Sequence, residues 1–266
     1  VVLPFFTSPS YVQRMRGVAA GLNGGEFELA VYTVKDRTQL DGYLSVLPLW
    51  RRLDGLILMS MPLDAKRTAH LKAHGMEVVC IEFGNPHFCS IDVDNLEGGE
   101  MAARHLIARG RRRFAFIGET GIPDHIVHLS DLRLQGFVQG LRAGGIDLPE
   151  AYISRRPYSR EGVVEQATEI LDLEPSPDAV FAYSDLHAAE ILKVARGRGL
   201  RIPEDLSIIG FDGTDLADYL NMTTIDQQLD ESGRLAAEQL ISRIREHDRP
   251  LQNVRLQLNV IVRGST

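Results

Sequence analysis

Ile202-Pro203-Glu204-Asp205-Leu206-Ser207-Ile208-Ile209-Gly210-Phe211-Asp212 holds a helix stop, a solvated turn and a buried strand in direct succession. Proline lacks an N–H and clashes with the preceding turn, so Pro203 ends any helix before it. The acidic pair Glu204-Asp205 makes a polar turn. The run Leu206 to Phe211 is short and apolar almost throughout, the signature of a strand covered on both faces.

The same signature recurs upstream. Residues 178 to 183 read DAVFAY, 113 to 118 RFAFIG, 54 to 59 DGLILM and 76 to 83 MEVVCIEF, and further strands are expected over 1 to 6, 27 to 34 and 150 to 155. Amphipathic stretches of helical period fill most of the gaps, which is the alternation of β-α units around parallel sheets. The segment 94 to 109 shows the local logic. Asp94 can cap its first turn with Glu97 three residues on, Ala103, Leu106 and Ile107 share one face, and Gly110 ends it. After residue 222 the pattern changes to a short run Thr223 to Gln227, a helix over 229 to 247 and a strand over 254 to 263. Trp50, before DGLILM, is expected to be a packing residue.

At 266 residues and 44% hydrophobic content, the chain suits two α/β lobes better than one. No low-complexity linker separates them, so the chain is expected to cross near residues 92, 226 and 258 through structured segments. The expected lobes are residues 1–93 plus 227–257, and residues 94–226 plus 258–266. The net charge of −7 and the pI near 5.6 oppose binding to nucleic acid by phosphate neutralisation. Cys80 and Cys89 fit neither a redox pair nor a metal set, and they point to a reducing compartment without a disulfide. No apolar run approaches the roughly 18 residues of a membrane span, so no membrane partner is expected.

Signatures of the common hydrolases and nucleotide enzymes are missing: there is no GxSxG, HExxH, GxxxxGK or GxGxxG after the first strand. Asp92-Val93-Asp94-Asn95 has the wrong continuation for a calcium loop, because Leu96 stands where an oxygen donor belongs. No catalytic residue, metal or cofactor is therefore expected. The basic cluster Arg109, Arg111, Arg112 and Arg113 is accounted for by a helix C-terminus, where cations are favoured.

In open parallel sheets, ligands lie beyond the carboxyl ends of the strands. Polar and aromatic residues gather at those places in this sequence. Ser10 and Tyr11 follow the first strand, Glu82 ends the fourth, and the loop from Glu119 to Asp131, with His125 and His128, follows RFAFIG. Tyr158 lies past residues 150 to 155, Ser184 and Asp185 follow DAVFAY, and Asp212 follows IIGF. Carboxylates such as Glu82 and Asp212 can accept from vicinal hydroxyls, Arg133 can donate several hydrogen bonds, and Tyr11 or Tyr158 can stack on a ring face. This inventory suits a sugar. Each residue also has a plainer role open to it: Asp185 or Asp212 can cap the next helix, and Arg133, among Leu129, Leu132 and Phe137, can lie on a solvated face.

Several segments together resemble one known family. They are Val93-Asp94-Asn95 with Gly99, Ala103, His105 and Leu106; Gly110 to Ile117; Arg133-Leu134-Gln135-Gly136-Phe137; Ala179 to Asp185; Gly199 to Asp212; Thr223 to Gln227; and Val262 to Thr266. Their order and spacing are similar to those of the ligand-binding part of lactose-repressor and galactose-repressor type regulators. The resemblance implies two Rossmann-like lobes with parallel sheets joined by a multi-crossing hinge, the plan of the type I periplasmic binding proteins. It implies an effector cleft between the lobes lined by Ser10, Tyr11, Glu82, Arg133, Tyr158, Ser184, Asp212 and Gln227, and His128 is added as a candidate from its loop. It further implies a homodimer, a cytoplasmic location, and operator DNA contacted only through a helix-turn-helix head that would precede Val1. Ser184 stands where the family often has Asn, which bears on the effector's identity. A periplasmic sugar-binding transport protein and a sugar-acting hydrolase are the competing readings.

Overall fold

The computed structural model describes residues 1–22, 25–50 and 52–266. The chain divides into two compact units, residues 1–93 with 123–127 and 228–256, and residues 94–122 with 128–227 and 257–266. Gln227 and Gln257, both expected with the first lobe, group with the second unit, where the Gln227 side chain donates to Asp212 at 2.7 Å. Residues 123–127 group with the first unit, where the Val127 N–H donates to the Ser60 carbonyl at 2.9 Å.

The first unit runs β1 (Val2–Leu3), α1 (Pro9–Gly21), β2 (Tyr32–Thr33), α2 (Arg37–Val46), β3 (Gly55–Met59), α3 (Ala65–Ala73), β4 (Glu77–Ile81) and β5 (Cys89–Val93). The second continues with α4 (Asn95–Ala108), β6 (Phe114–Glu119), α5 (Leu129–Ala143), β7 (Ile153–Arg156), α6 (Arg160–Leu171), β8 (Ala179–Ala182), α7 (Asp185–Gly197), β9 (Ser207–Asp212), α8 (Asp215–Tyr219) and β10 (Thr223–Asp226). Then α9 (Leu229–Arg245) and β11 (Asn253–Leu256) return to the first unit, and β12 (Asn259–Ile261) belongs to the second. The first sheet has the order β11-β5-β4-β3-β1-β2, with parallel pairing throughout. The second has the order β12-β10-β9-β8-β6-β7 and is parallel except for the antiparallel β10–β12 edge.

Five sequence expectations need correction. The strand expected over 27 to 34 is only the two residues Tyr32–Thr33, paired with β1. The strand expected over 1 to 6 stops at Leu3, because Pro4 has no N–H to give the ladder, and Phe5 and Phe6 are 44% and 47% exposed. The strand over 254 to 263 is two strands, β11 on β5 and β12 on β10, separated at Gln257 and the buried Leu258. β5 was not expected at all: Cys89-Ser90-Ile91-Asp92-Val93 lacks a continuous apolar run, yet it lies between β4 and β11. Trp50 is 53% exposed and packs little.

Helix boundaries follow local chemistry. Asp94 accepts from the Glu97 N–H at 3.0 Å, and Gly110 follows α4 at φ +81°, a conformation open to glycine at no steric cost. Ser159 caps α6 through the Gly162 N–H at 2.9 Å. In the second unit Phe116, Phe137, Phe181 and Phe211 are fully buried, with Phe137 and Phe181 ring centroids 5.1 Å apart; each contributes about 1.5–3 kcal/mol by leaving water. Cys80 and Cys89 are buried free thiols, and burial, reinforced by Cys89, pushes the Cys80 thiol up to about 12.

In both units one pair of helices packs backbone to backbone. A Cβ on Gly17 of α1 would lie 1.9 Å from the Asp230 carbonyl oxygen of α9, and one on Gly233 would lie 2.0 Å from that of Arg14. In the second unit a Cβ on Gly136 of α5 would lie 1.9 Å from the Leu96 oxygen of α4, and one on Gly99 would lie 2.1 Å from the Arg133 oxygen. Any side chain there forces the helices apart. Gly136→Ala is therefore expected to lower stability in urea unfolding by about 1–3 kcal/mol. Gly197→Ala, at a helical position with nothing within 4 Å, should lose nothing. Equal midpoints for the two variants would contradict this account of the packing.

Candidate functional site

In the second unit the helical period of α5 sets Leu129, Arg133, Gly136 and Phe137 on its buried face, so Arg133 is drawn inward with the apolar residues. Burying a guanidinium requires partners for its donors. Nε donates to Asn95 Oδ1 at 2.9 Å, Nη1 to the Tyr183 carbonyl at 2.7 Å, and Nη1 lies 3.4 Å from Asp212 Oδ1. The guanidinium carbon also sits 3.6 Å from the centroid of the Phe211 ring, a cation–π contact. Asp212, the last residue of β9, has φ +121°, and its Oδ1 also accepts from Gln227 Nε2 at 2.7 Å. A left-handed aspartate at a strand end is strained backbone held by its surroundings. Arg133, Asp212 and Gln227, expected from the sequence, thus form one hydrogen-bonded cluster.

Ser184 caps α7 and shares a 2.8 Å hydrogen bond with His187 Nδ1. The His187 ring lies 5.3 Å from that of Tyr158 and 5.4 Å from that of Tyr183. Burial and then the Arg133 charge depress the His187 pKa to about 3, so the imidazole is neutral, and its buried Nε2 has no hydrogen-bond partner among the described residues. Tyr158 is 43% exposed and presents a ring face. Glu119 ends β6; burial lifts its pKa to about 7 against the opposing charge of Arg133. Asp185 serves the scaffold: it accepts from the Thr214 N–H and hydroxyl at 2.7 and 2.9 Å and from the Thr224 hydroxyl at 2.6 Å. Burial and then the charge of Asp212 raise its pKa. His128 is exposed at the start of α5 and takes no part in these hydrogen bonds.

The first unit has its own polar cluster. Tyr11 OH and Ser60 Oγ are 2.6 Å apart, Ser60 Oγ donates to Glu82 Oε2, and Arg14 Nη1 lies 2.6 Å from Glu82 Oε1. All four side chains are buried, and Ser60 and Glu82 have φ +60° and +72°. The Tyr11 ring is packed in the core, edge-on to Phe5 at 5.9 Å, so it offers a hydroxyl and no free ring face. Ser10 is half-buried on α1 outside these bonds. Asp92, on β5, has its pKa raised first by burial, with Glu82 adding to the rise. A cavity of about 670 Å³ lined by Leu63, Thr68, Lys72, Asn85 and His87 shares no residue with the cluster.

Arg14, Ser60 and His187 are residues of these clusters that sequence reading did not name, and Asn95 and Glu119 were named only within longer segments. Arg14 and His187 each follow a named candidate by three residues on a helix, a spacing that places them on the same face. No group of acidic, histidine or cysteine side chains suited to a metal occurs among the described residues.

Comparisons with known proteins agree on one kind of relative. The periplasmic binding protein-like domain family matches residues 103–266. The HTH-type transcriptional regulator CelR of Thermobifida fusca is 31% identical over 270 residues, spanning 98% of this chain and 77% of that protein. The HTH-type transcriptional repressor CytR of Escherichia coli is 30% identical over 272 residues, spanning 100% and 78%. Among solved structures, a CelR–cellobiose complex has a TM-score of 0.84 at 29% identity, covering 100% of this chain and 83% of that one. A LacI family regulator from Enterococcus faecium with bound ribose has a TM-score of 0.85 at 27% identity, covering 100% and 97%.

Two titratable groups near Arg133, His187 and Glu119, pull stability in opposite directions with pH. An unfolded histidine takes up its proton near 6.5 and the folded His187 only near 3, so stability is lost as pH falls between them. Glu119 is the reverse: its proton is held more tightly in the fold, and stability is lost as pH rises from 4.5 toward 7. Thermal melts from pH 4 to 8 should show His187→Gln flattening the acid limb, and Glu119→Gln gaining over wild type at pH 8 but not at pH 4. Parallel curves for all three proteins would refute these assignments.

Proposed function

The chain belongs to the LacI family of transcriptional regulators as its periplasmic-binding-protein-like effector domain, and on that premise we propose that it senses a neutral sugar or glycoside. The carrying observation is the cluster around Arg133. Its Nε and Nη1 are held by Asn95, the Tyr183 carbonyl and Asp212, and its face lies on the Phe211 ring. The Asp212 carboxylate, 3.4 Å from that guanidinium, opposes a phosphate by like charge, whereas Asp212, Gln227 and the neutral His187 suit hydroxyls. Tyr158 supplies the apolar ring face that a sugar's C–H surface prefers. The relatives support the class, since the complexes named above contain cellobiose and ribose.

The proposed set of effector contacts is Ser10, Tyr11, Glu82, His128, Arg133, Tyr158, Ser184, Asp212 and Gln227. An effector that prefers one of two arrangements of the chain shifts the population toward it, and that shift is the signal passed to DNA binding. The net charge of −7 opposes operator contact by these residues themselves. No catalytic step is assigned, and the functioning regulator is proposed to be a cytoplasmic homodimer, with gel filtration and light scattering as the check on its oligomeric state.

Effector at 100 times its Kd stabilises the bound protein by about 2.7 kcal/mol. A thermal-shift screen should therefore give a concentration-dependent rise with ribose, glucose or cellobiose and none with the matching phosphates. Arg133→Ala and Asp212→Ala should each weaken binding by about 2 kcal/mol or more, since each leaves a buried charge without its partner. A rise with sugar phosphates or nucleobases alone would replace the proposed ligand class, and unchanged affinity in both variants would remove the site.

A further inference from the structure

The first unit repeats the Arg133–Asp212 arrangement with different residues. The two sheets share one order of strands, with β4 in the place of β9. At the carboxyl end of each stands a carboxylate residue in left-handed backbone, Glu82 at φ +72° and Asp212 at φ +121°. Each unit also has a helix bearing Arg-x-x-Gly, Arg14 to Gly17 on α1 and Arg133 to Gly136 on α5. In both, the arginine's own carbonyl oxygen is what a Cβ on a glycine of the neighbouring helix would strike, at 2.0 Å from Gly233 and 2.1 Å from Gly99. Backbone packing and charge pairing thus independently put Arg14 where Arg133 stands in the second unit. The Arg14–Glu82 contact, at 2.6 Å, is the shorter of the two ion pairs.

Arg14 and the Ser60 hydroxyl converge on Glu82, one on each carboxylate oxygen. The Tyr11 hydroxyl backs Ser60 from behind. A carboxylate has about four acceptor directions, so one donor fixed on each oxygen orients the group and leaves it able to accept more. From this geometry we infer that Arg14 is a positioning residue for effector specificity: it holds the Glu82 carboxylate as an aimed acceptor for hydroxyls of a neutral polyhydroxylated effector. The inference rests on the sugar-sensing reading above. It adds a residue that acts through Glu82 and touches no ligand itself.

The test is calorimetric titration of the 266-residue chain with ribose, glucose and cellobiose, using R14M, R14K, E82Q and the R14M/E82Q double variant. R14M and E82Q are each expected to weaken whichever sugar the wild type binds by about tenfold or more. R14K, which restores the charge, should recover part of the loss. The double variant should bind no more weakly than E82Q alone, because Arg14 has nothing to position once the carboxylate is gone. Wild-type affinity in R14M, or losses that add in the double variant, would overturn the role of Arg14 and leave the sugar reading standing. If R14M does not fold, the double variant, which buries no unpaired charge, carries the comparison, and binding weaker than E82Q overturns the role. A wild type that binds none of the three sugars overturns the sugar reading and this inference with it.

Discussion

A guanidinium removed from water demands acceptors on several sides, and around Arg133 that demand organises much of the second unit. Its donors take an α4 side chain, the carbonyl after β8 and the β9 carboxylate, and its flat face lies on Phe211. One buried charge thereby ties α4, α5 and the ends of two neighbouring strands together. Desolvation makes the arrangement costly unless every partner is in register. The glycines at 99 and 136 bring α4 and α5 close enough for Asn95 to reach across.

The strand ends bear the other half of the constraint. Ser60, Glu82 and Asp212 all occupy the left-handed region, where a side chain other than glycine is uncommon. Each turns its polar group toward a buried partner where the ladder stops pairing. Local strain and side-chain hydrogen bonding are thus coupled at the positions where parallel sheets ordinarily present ligand groups.

Strands such as 55–59, 179–182 and 207–212 were legible because a strand buried on both faces must be apolar throughout. β5 was not, since Ser90 and Asp92 break its pattern and only its neighbours in the sheet make it a strand. Residues directly after apolar runs could be named by rule, as Glu82, Ser184 and Asp212 were, and each lies in one of the buried polar clusters. Residues arriving from helices could not. The charge of Arg133 argued for solvent and only the family likeness drew it inward. Arg14 carried no such likeness, and its depth depends on Gly17 and Gly233, which are far apart in sequence. Trp50 and the Phe5-Phe6 pair failed in the opposite sense, because apolar character alone does not specify a buried place.

The burial of both native thiols has a practical side. Cys80 and Cys89 are almost wholly inaccessible, and Cys80, its pKa pushed up to about 12, supplies almost no thiolate to an electrophile at neutral pH. A cysteine introduced on the surface, for example at Trp50 or Tyr219, would therefore be the preferred target for a maleimide dye without removing either native one. The domain thus comes with a chemically quiet background, suited to a fluorescent reporter that follows effector occupancy in real time.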